Sequence, residues 1–302
     1  TCFMALQEME QSGALGLRVL KGIPREDLPH AIGVGLRSGF GSDFLRIGPL
    51  KLFADGALGP QTAAMLQPYE GGGGSGMLFL DAEQIFEIGQ QAAENGISLA
   101  IHAIGDRANF EVLKAYDQMR HYEQENRKPH LRHRIEHVQI IHPDHLDRLA
   151  SLGVTASMQP IHATSDYPMA DRYWGSRSRT AYALGSLLES GARLTFGSDA
   201  PVESPNPFWG LHAAVTRRRQ DGSPAAEGWY PRQRLSLQQA LAGYTSGPAY
   251  AAGLEDRLGR IAPRYLADLV VLAEDPFGLD PQQLHTVQPI ATMVAGKFVW
   301  ES

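Results

Sequence analysis

Cysteine is almost absent from this chain, which has one, Cys2, among 302 residues. A single cysteine forms no disulfide within the chain, so the sequence fits a reducing compartment and predicts a cytoplasmic protein. Long apolar runs are missing as well, because none approaches the roughly 18 residues that a transmembrane helix needs. The first residues show no charged-then-apolar signal peptide. These absences exclude a disulfide-stapled fold and predict no membrane span.

A surplus of basic residues is also lacking, since 27 Lys and Arg stand against 33 Asp and Glu, for a formal net charge of -6. Proteins that bind nucleic acid or anionic membrane surfaces carry clustered positive charge. The charge balance therefore predicts no nucleic-acid partner and no binding to an anionic membrane.

Apolar, β-branched runs alternate with helical patterns along most of the chain. Strands are predicted at about 17–23, 45–53, 97–102, 132–138, 153–158 and 192–197. Helices are predicted at about 82–95, 106–125, 143–152, 178–190 and 207–219, and residues 57–80 form a long loop. This α/β alternation indicates parallel strands covered by helices. An open doubly wound sheet and a (β/α)8 TIM-type barrel both satisfy it.

The chain changes character after about residue 233. One or two helices precede two segments with strand patterns, 259–275 and 289–300. Ala295, Gly296 and Lys297 form a predicted hairpin tip between strands. A small β element is therefore expected beside the α/β body.

Four chemically active side chains fall at or near the ends of predicted strands: Lys51, His102, His137 and Asp199. The carboxyl ends of parallel strands form the active face of α/β folds, so these residues could meet. Imidazole and carboxylate are good ligands for zinc, iron or manganese. The alternatives are ordinary ones: hydrogen-bonded core histidines, an aspartate that caps a turn, and an edge lysine that reaches water. One shared site explains all four positions more economically.

Six motifs carry a resemblance to a known family: "KLFADGALG", "LAIHAIGDRAN", "RIEHVQ", "SMQPIHATSD", "GSDAPV" and "GRIAPRYLADLVVLAEDPF". In this order they resemble the amidohydrolase superfamily, and above all its YtcJ-like branch, which includes N-substituted formamide deformylase. The resemblance implies a (β/α)8 barrel with a metal site at the strand carboxyl ends, and a small β-sandwich. It also implies a hydrolase that acts on carbon–nitrogen bonds other than peptide bonds.

Residue by residue, Lys51 resembles the lysine that CO₂ carboxylates so that it bridges two metal ions. His102 and His137 resemble the histidines of the second metal, and Asp199 resembles the aspartate that binds the first metal and accepts the proton of the attacking water. The implied cofactor is a divalent metal, zinc above all, as one or two ions. His162 is a candidate for substrate binding, with a plain loop histidine as the alternative.

Several further residues are weaker candidates. Asp55 and Gln139 could orient ligands, and Asp106 with Arg107 could form a local ion pair or begin a helix. Tyr173 and Trp174 could line the pocket, although aromatic residues near loops serve packing as often.

The family also has an H-x-H pair on its first barrel strand, and this sequence contains none. Only one strand precedes Lys51, and only a carboxyl-terminal share of the β-sandwich is present. The expectation is therefore a carboxyl-terminal fragment with an incomplete barrel over 1–250 and part of a sandwich over 251–302. Binuclear catalysis is not expected of such a fragment, and its open strand edges predict homo-oligomers or poor solubility. The competing hypotheses are a non-catalytic regulatory member and, more weakly, a metal-free doubly wound binding domain.

Overall fold

The computed structural model describes residues 2–302 and contains two β-sheets. The α-helices are α1 (Cys2–Gln11), α2 (Leu28–Gly33), α3 (Ala82–Glu94), α4 (Asp106–Glu125), α5 (Arg148–Ser151), α6 (Pro160–Trp174), α7 (Leu184–Glu189), α8 (Pro207–Thr216), α9 (Leu237–Tyr244) and α10 (Ser246–Ala251). The strands are β1 (Val19–Pro24), β2 (Leu45–Phe53), β3 (Leu99–Ala103), β4 (Arg134–His137), β5 (Thr155–Met158), β6 (Arg193–Phe196), β7 (Leu269–Leu272), β8 (Pro289–Val294) and β9 (Lys297–Glu301). Within residues 2–302, the helices are too short or too polar to cross a bilayer.

The larger sheet has six parallel strands in the spatial order β1-β2-β3-β4-β5-β6. Each strand pairs with the next one along the chain, so the connections cross over the sheet and carry most of the helices. The predicted α/β class with parallel strands is confirmed. Among the described residues β1 pairs only with β2, and β6 only with β5. The closed barrel therefore stays a prediction.

Alternation along the strands puts the apolar core residues and the chemically reactive side chains on opposite faces of the sheet. Successive side chains of a strand point to opposite faces. The core face of β2 and β3 carries Leu50, Leu52, Leu99 and Ile101, all buried in the main hydrophobic cluster. The intervening positions of the same strands, which include Lys51 and His102, consequently lie on the other face.

The helix α3 shows how closely local sequence sets a boundary. Asp81 accepts a hydrogen bond from the Gln84 N–H, and the Gln84 side chain accepts one from the Asp81 N–H, which is the predicted capping box. The predicted helix 106–125 coincides with α4. Both helices pack on the apolar face of the sheet.

The helix α6 was not predicted from the sequence. It contains Pro168, which lacks the N–H that would bond the carbonyl of Thr164. The Arg219 guanidinium donates to the carbonyls of Thr164 and Ser165 instead, at 2.9 and 3.0 Å. A distant arginine thus satisfies the carbonyl that proline leaves free, which no local pattern reveals.

Two other predicted helices are shorter than expected. The predicted helix 143–152 is a 3₁₀ turn at Pro143–His145 followed by the single turn of α5. The predicted helix 178–190 begins as a 3₁₀ segment, Gly175–Thr180, and becomes α-helical only in α7. Pro143 begins the first of these segments, and the backbone of Ala181 is extended shortly before α7. Both features interrupt the helical pattern.

The strands β7, β8 and β9 form a separate antiparallel sheet. The predicted hairpin tip is present between β8 and β9, where Ala295 and Gly296 have φ of 51° and 76°. Positive φ at both central residues suits a two-residue hairpin turn. A division of the chain at residues 250 and 251 stays a prediction.

Candidate metal and substrate site

The five residues predicted for the site line one cavity of about 470 Å³. They are Lys51, His102, His137, His162 and Asp199. Lys51, His102 and His137 lie near the carboxyl ends of parallel strands. His162 and Asp199 lie in the segments that directly follow β5 and β6. The cavity wall is completed by Phe53, Ala57, Leu58, Gly59, Ile104, Gln139, Asp166, Val202 and Glu203.

Lys51 lies on β2 between β1 and β3, so it is not an edge lysine. Its Nζ lies 4.8 Å from the centroid of the Phe53 ring. Burial lowers the pKa of the Lys51 ammonium, and the nearby carboxylate of Glu136 opposes that shift. Desolvation thus favours the neutral amine, which is the form that reacts as a nucleophile.

His102 lies near the carboxyl end of β3, and one of its ring nitrogens already makes a hydrogen bond. Its Nε2 lies 2.9 Å from the carbonyl oxygen of Gly56. A carbonyl only accepts, so Nε2 carries the proton and Nδ1 keeps a free lone pair. Burial lowers the pKa of His102 to about 4, and the neighbouring His137 adds to the shift. The ring is therefore neutral near pH 7, as a metal ligand must be.

His137 presents the opposite nitrogen. Its Nδ1 lies 2.9 Å from Oε1 of Gln159, so Nδ1 donates and Nε2 is free. Its ring centroid lies 4.6 Å from that of His102. Burial lowers the pKa of His137 to about 4, and Lys51 contributes in the same direction. The pair resembles ligating histidines, whose other nitrogen usually donates to an oxygen that orients the ring.

The backbone around His137 is unusual. His137 and Val138 have φ of 78° and 46°, and Asp199 has φ of 61°. The left-handed region is rare for residues other than glycine, above all for a β-branched valine. Such conformations persist where the surroundings impose them, and they cluster at functional sites. Two of the residues predicted for the site thus lie on strained backbone.

Asp199 lines the cavity but is exposed, and its side chain makes no hydrogen bond to another residue within 2–302. In the same part of the chain, no three His, Cys, Asp or Glu residues lie close enough together to hold a metal ion. The donors that fit a divalent metal are therefore the two imidazoles, and Lys51 and Asp199 are the nearby candidates for oxygen ligation, Lys51 only as a carbamate.

His162 is not a loop histidine, because it lies in the first turn of α6 and is 6% exposed. Its ring stacks on that of His137 with centroids 6.1 Å apart. Its Nδ1 lies 3.4 Å from Nε2 of Gln139, while its own Nε2 and the Gln139 Oε1 have no hydrogen-bond partner. Two buried polar atoms of the cavity wall are thus left for a ligand.

Asp55 occupies a supporting position next to His102. Its carboxylate accepts hydrogen bonds from the backbone N–H groups of Ala64, Ile104 and Gly105, at 2.8, 3.0 and 2.8 Å. Its Oδ1 lies 3.6 Å from His102 Nε2. Burial raises the pKa of Asp55 to about 7, although the three N–H donors oppose this. The carboxylate holds the loop after β2 against the end of β3.

The other weak candidates have structural roles. Asp106 begins α4 and accepts a hydrogen bond from the Leu66 N–H, and it makes no ion pair with Arg107 within residues 2–302. Trp174 is fully buried in a second apolar cluster and does not line the cavity. Tyr173 packs edge-on against Tyr69. For both aromatic residues the packing interpretation is the right one.

Two carboxylates of the cavity were missed from sequence, Asp166 and Glu203. Asp166 lies four residues after His162, and Glu203 lies four residues after Asp199. A helix assigned to residues 160–174 would have placed Asp166 on the same side as His162, because residues four apart are neighbours on a helix. Glu203 had no comparable signal.

Comparison with known proteins gives one consistent family. A sequence profile described as "Amidohydrolase family" matches residues 3–300. YtcJ of Bacillus subtilis (strain 168), provisionally named an amidohydrolase, is 34% identical over 263 residues, which are 85% of this chain and 48% of that protein. N-substituted formamide deformylase of Arthrobacter pascens is 29% identical over 263 residues, which are 86% of this chain and 47% of that enzyme. The chain spans about half the length of these curated relatives.

A solved structure gives the same result. A metal-dependent hydrolase of uncharacterised function from Pyrococcus horikoshii OT3 matches with a TM-score of 0.82 and 30% sequence identity. The match covers 92% of this chain and 55% of that chain. Fold and sequence therefore agree over nearly all of the residues compared.

Proposed function

Since this chain belongs to the amidohydrolase family, we propose that the whole protein is a metal-dependent hydrolase of carbon–nitrogen bonds other than peptide bonds, in amide or formamide substrates. The six parallel strands would form part of a (β/α)8 barrel in that protein. The expected substrate is a small molecule, and the expected location is cytoplasmic.

The observation that carries the proposal is the imidazole pair. His102 keeps Nδ1 free and His137 keeps Nε2 free, and each ring is fixed by a hydrogen bond from its other nitrogen. Both rings face the cavity that Lys51 lines. Lys51, His102, His137 and Asp199 are the residues proposed to hold the metal, with zinc as the proposed ion because it prefers nitrogen and carboxylate ligands. Such an ion would supply Lewis-acid chemistry that polarises the scissile carbonyl and makes water acidic enough to attack near neutral pH.

The side chains of this chain then have distinct tasks. The neutral amine of Lys51 would form a bond from Nζ to the carbon of CO₂ and release one N–H proton to water, which would give an anionic carbamate ligand. Asp199 would accept a proton from the water that attacks the carbonyl carbon. As the carbon–nitrogen bond breaks, Asp199 would return that proton to the leaving nitrogen. His162 would donate from Nε2 to the substrate carbonyl oxygen or leaving group, and its unpartnered Nε2 supports this role.

The test measures zinc content and hydrolysis of the whole protein, with variants of the histidine pair. We expect His137→Ala to lose zinc and to hydrolyse no member of a panel of formamides and N-acyl amines. His121→Ala is the control, because its side chain is 71% exposed on α4, away from the cavity. Full zinc content together with full kcat/KM in His137→Ala would exclude the proposed ligand set.

A second candidate is a family member without catalysis that keeps the fold for regulation or binding. It is favoured by one observation: among residues 2–302, no three His, Cys, Asp or Glu side chains lie close enough together to hold a metal ion. The same experiment separates the two hypotheses. Zinc well below one ion per chain, with no hydrolysis across the panel by the unaltered whole protein, would support the non-catalytic role.

A further inference from the structure

We propose that the candidate cavity contains a subsite for a protonated amine of the substrate, formed by the carboxylates of Asp166 and Glu203. The inference rests on the proposed function, because it assigns a chemical class to the substrate of that same site. Both residues line the cavity together with His102, His137 and His162.

The two carboxylates have no cation to neutralise them. The side chains that act electrostatically on Asp166 are the imidazole of His162, which lowers its pKa, and the like-charged carboxylate of Glu203, which raises it. The Oδ2 of Asp166 accepts a hydrogen bond of 2.6 Å from the Tyr182 hydroxyl, which leaves Oδ1 available. Within residues 2–302, Glu203 makes no hydrogen bond and no ion pair. Neighbouring carboxylates raise each other's energy unless a cation pairs with them.

The cavity itself does not supply that cation. Lys51 is the single lysine or arginine among its lining residues. The charges with the largest effect on the pKa of Lys51 are those of Glu136, Arg134 and Asp199. The negative charge of the pair is therefore left for a ligand to balance.

Two buried polar atoms nearby point independently to a ligand. His162 is 6% exposed and Gln139 is 5% exposed, and both line the cavity. The Nε2 of His162 and the Oε1 of Gln139 have no hydrogen-bond partner. The amide oxygen of Gln139 accepts an N–H, as an amine would offer, whereas the Nε2–H of His162 is a donor and suits an oxygen of the same substrate. His162 lies one helical turn before Asp166 on α6, so these groups belong to one wall.

The apolar residues that line the cavity indicate what kind of uncharged group the ligand carries. Leu58, Ile104 and Val202 give the cavity an aliphatic part beside the carboxylates. A primary ammonium on a short aliphatic body satisfies both parts. The proposed substrates are therefore amides whose acyl or amine part carries a second, protonated amine.

The first experiment measures binding without catalysis. Butylammonium, neutral butan-1-ol and anionic butyrate have hydrocarbon parts of similar size. Each is titrated into the whole protein at low salt, with isothermal titration calorimetry as the readout. We expect butylammonium to bind at least about fivefold more tightly than butan-1-ol, as for an incompletely buried ion pair. We expect the preference to shrink as the salt concentration rises.

Variants test whether Asp166 and Glu203 cause the preference for butylammonium. Glu203→Gln and Asp166→Asn are expected to remove most of the butylammonium preference, and the asparagine can still accept from Tyr182. The Glu203 side chain makes no hydrogen bond and no ion pair within residues 2–302, so Glu203→Gln removes no contact that holds the fold. Glu274→Gln, an exposed site in the loop after β7, is the matched control and keeps the preference. Equal affinities for the amine and the alcohol, an undetectable amine complex, or an unchanged preference in Glu203→Gln would each overturn the proposal.

A second experiment keeps this inference separate from the proposed function. The whole protein is assayed on pairs of amides that differ only in a protonated amine or a methyl group. A higher kcat/KM for the amine member, lost in Glu203→Gln, supports the subsite. Hydrolysis without any charge preference refutes the subsite and leaves the hydrolase proposal intact. If neither amide is hydrolysed, the hydrolase proposal fails, and the binding titration still decides on the subsite.

Discussion

At the scale of single residues, Asp55 joins three segments around His102. Replacing it by alanine removes the acceptor for the buried N–H groups of Ala64, Ile104 and Gly105. Each unsatisfied buried donor is costly, so we expect Asp55→Ala to lower the free energy of unfolding by about 3 kcal/mol or more. Urea unfolding at pH 8 measures this change.

A matched control for Asp55 is Glu274→Ala, because Glu274 is exposed and makes no hydrogen bond within residues 2–302. It should leave the urea midpoint unchanged. If Asp55→Ala unfolds at the same urea concentration as the control variant, the carboxylate does not hold these segments together.

His212 is a buried histidine outside the candidate site. Its ring lies in α8, edge-on to His285 with centroids 4.9 Å apart. Burial lowers the pKa of His212 from 6.5 to about 4, and His285 adds to the shift. Between these pH values the unfolded chain binds more protons than the folded one, so stability falls as the pH falls through this window. Lowering the pH from 7 to 5 should therefore reduce the free energy of unfolding by about 2 kcal/mol through His212.

The pH effect is measured by urea unfolding of the unaltered chain and of His212→Gln at several pH values from 7 to 5. We expect the glutamine variant to lose less stability over this range. His121→Gln, at an exposed position, should follow the unaltered chain. Parallel curves for all three proteins would show that His212 keeps an ordinary pKa.

At the scale of secondary-structure elements, the turn between β3 and α4 is packed tightly against the loop after β2. A Cβ on Gly105 would lie 1.9 Å from the carbonyl oxygen of Ala64 and 2.8 Å from its nitrogen. Both neighbours are backbone atoms, so the loop itself must move. We therefore expect Gly105→Ala to cost about 3 kcal/mol of unfolding free energy.

Thermal or urea unfolding compares Gly105→Ala with Gly16→Ala. A Cβ on Gly16 meets no atom within 4 Å, so this control tests the substitution without the clash. We also expect amide exchange in the loop after β2 to rise in the Gly105 variant alone. Equal stability of the two variants would mean that the loop adapts freely.

At the scale of the whole molecule, Arg18 links the two sheets. Its guanidinium makes two hydrogen bonds to the carboxylate of Asp268, which also accepts from the Ala295 N–H at the β8–β9 hairpin. The pair is partly buried, so breaking it leaves Asp268 without its counter-charge. In Arg18→Met we expect faster amide exchange in β7, β8 and β9, with β3 and β4 unchanged.

The control for this link is Arg257→Met, because Arg257 pairs with Asp43 at an exposed position where ion pairs contribute little. It should leave exchange in the small sheet as it is. Uniform acceleration in both sheets, or none in either, would show that Arg18 does not couple them.

Association is the second prediction at this scale. Among the described residues the outer edges of β1 and β6 pair with no further strand. The small sheet exposes large apolar side chains, among them Val270, Phe298 and Trp300. Open edges and exposed apolar patches promote association, so we expect this chain to form oligomers or aggregates in light scattering. A monodisperse monomer over a wide concentration range would contradict this.

Local sequence patterns determined the fold class and the bounds of several secondary-structure elements. Apolar runs that alternate with helical segments predicted parallel strands, because buried side chains repeat every second residue in strands and every three to four in helices. The pattern left the spatial order of the strands open between a doubly wound sheet and a barrel, and the structure gives that order. Asp81 with Gln84 determined the start of α3, and Ala295 with Gly296 determined a hairpin, since both depend on neighbours in sequence. The strand-end positions of Lys51, His102 and His137 also predicted that they would meet.

Only the tertiary structure decided the rest, because it depends on partners far apart in the chain. The helix α6 needs Arg219, fifty-five residues beyond Thr164, to satisfy the carbonyl that Pro168 leaves free. The ring nitrogens that His102 and His137 offer are selected by Gly56 and Gln159, which the sequence does not mark as partners. Asp166 and Glu203 enter the cavity through packing of α6 and of the loop after β6. Sequence patterns report local periodicity, whereas charge pairing, tautomers and cavity walls arise from long-range contacts.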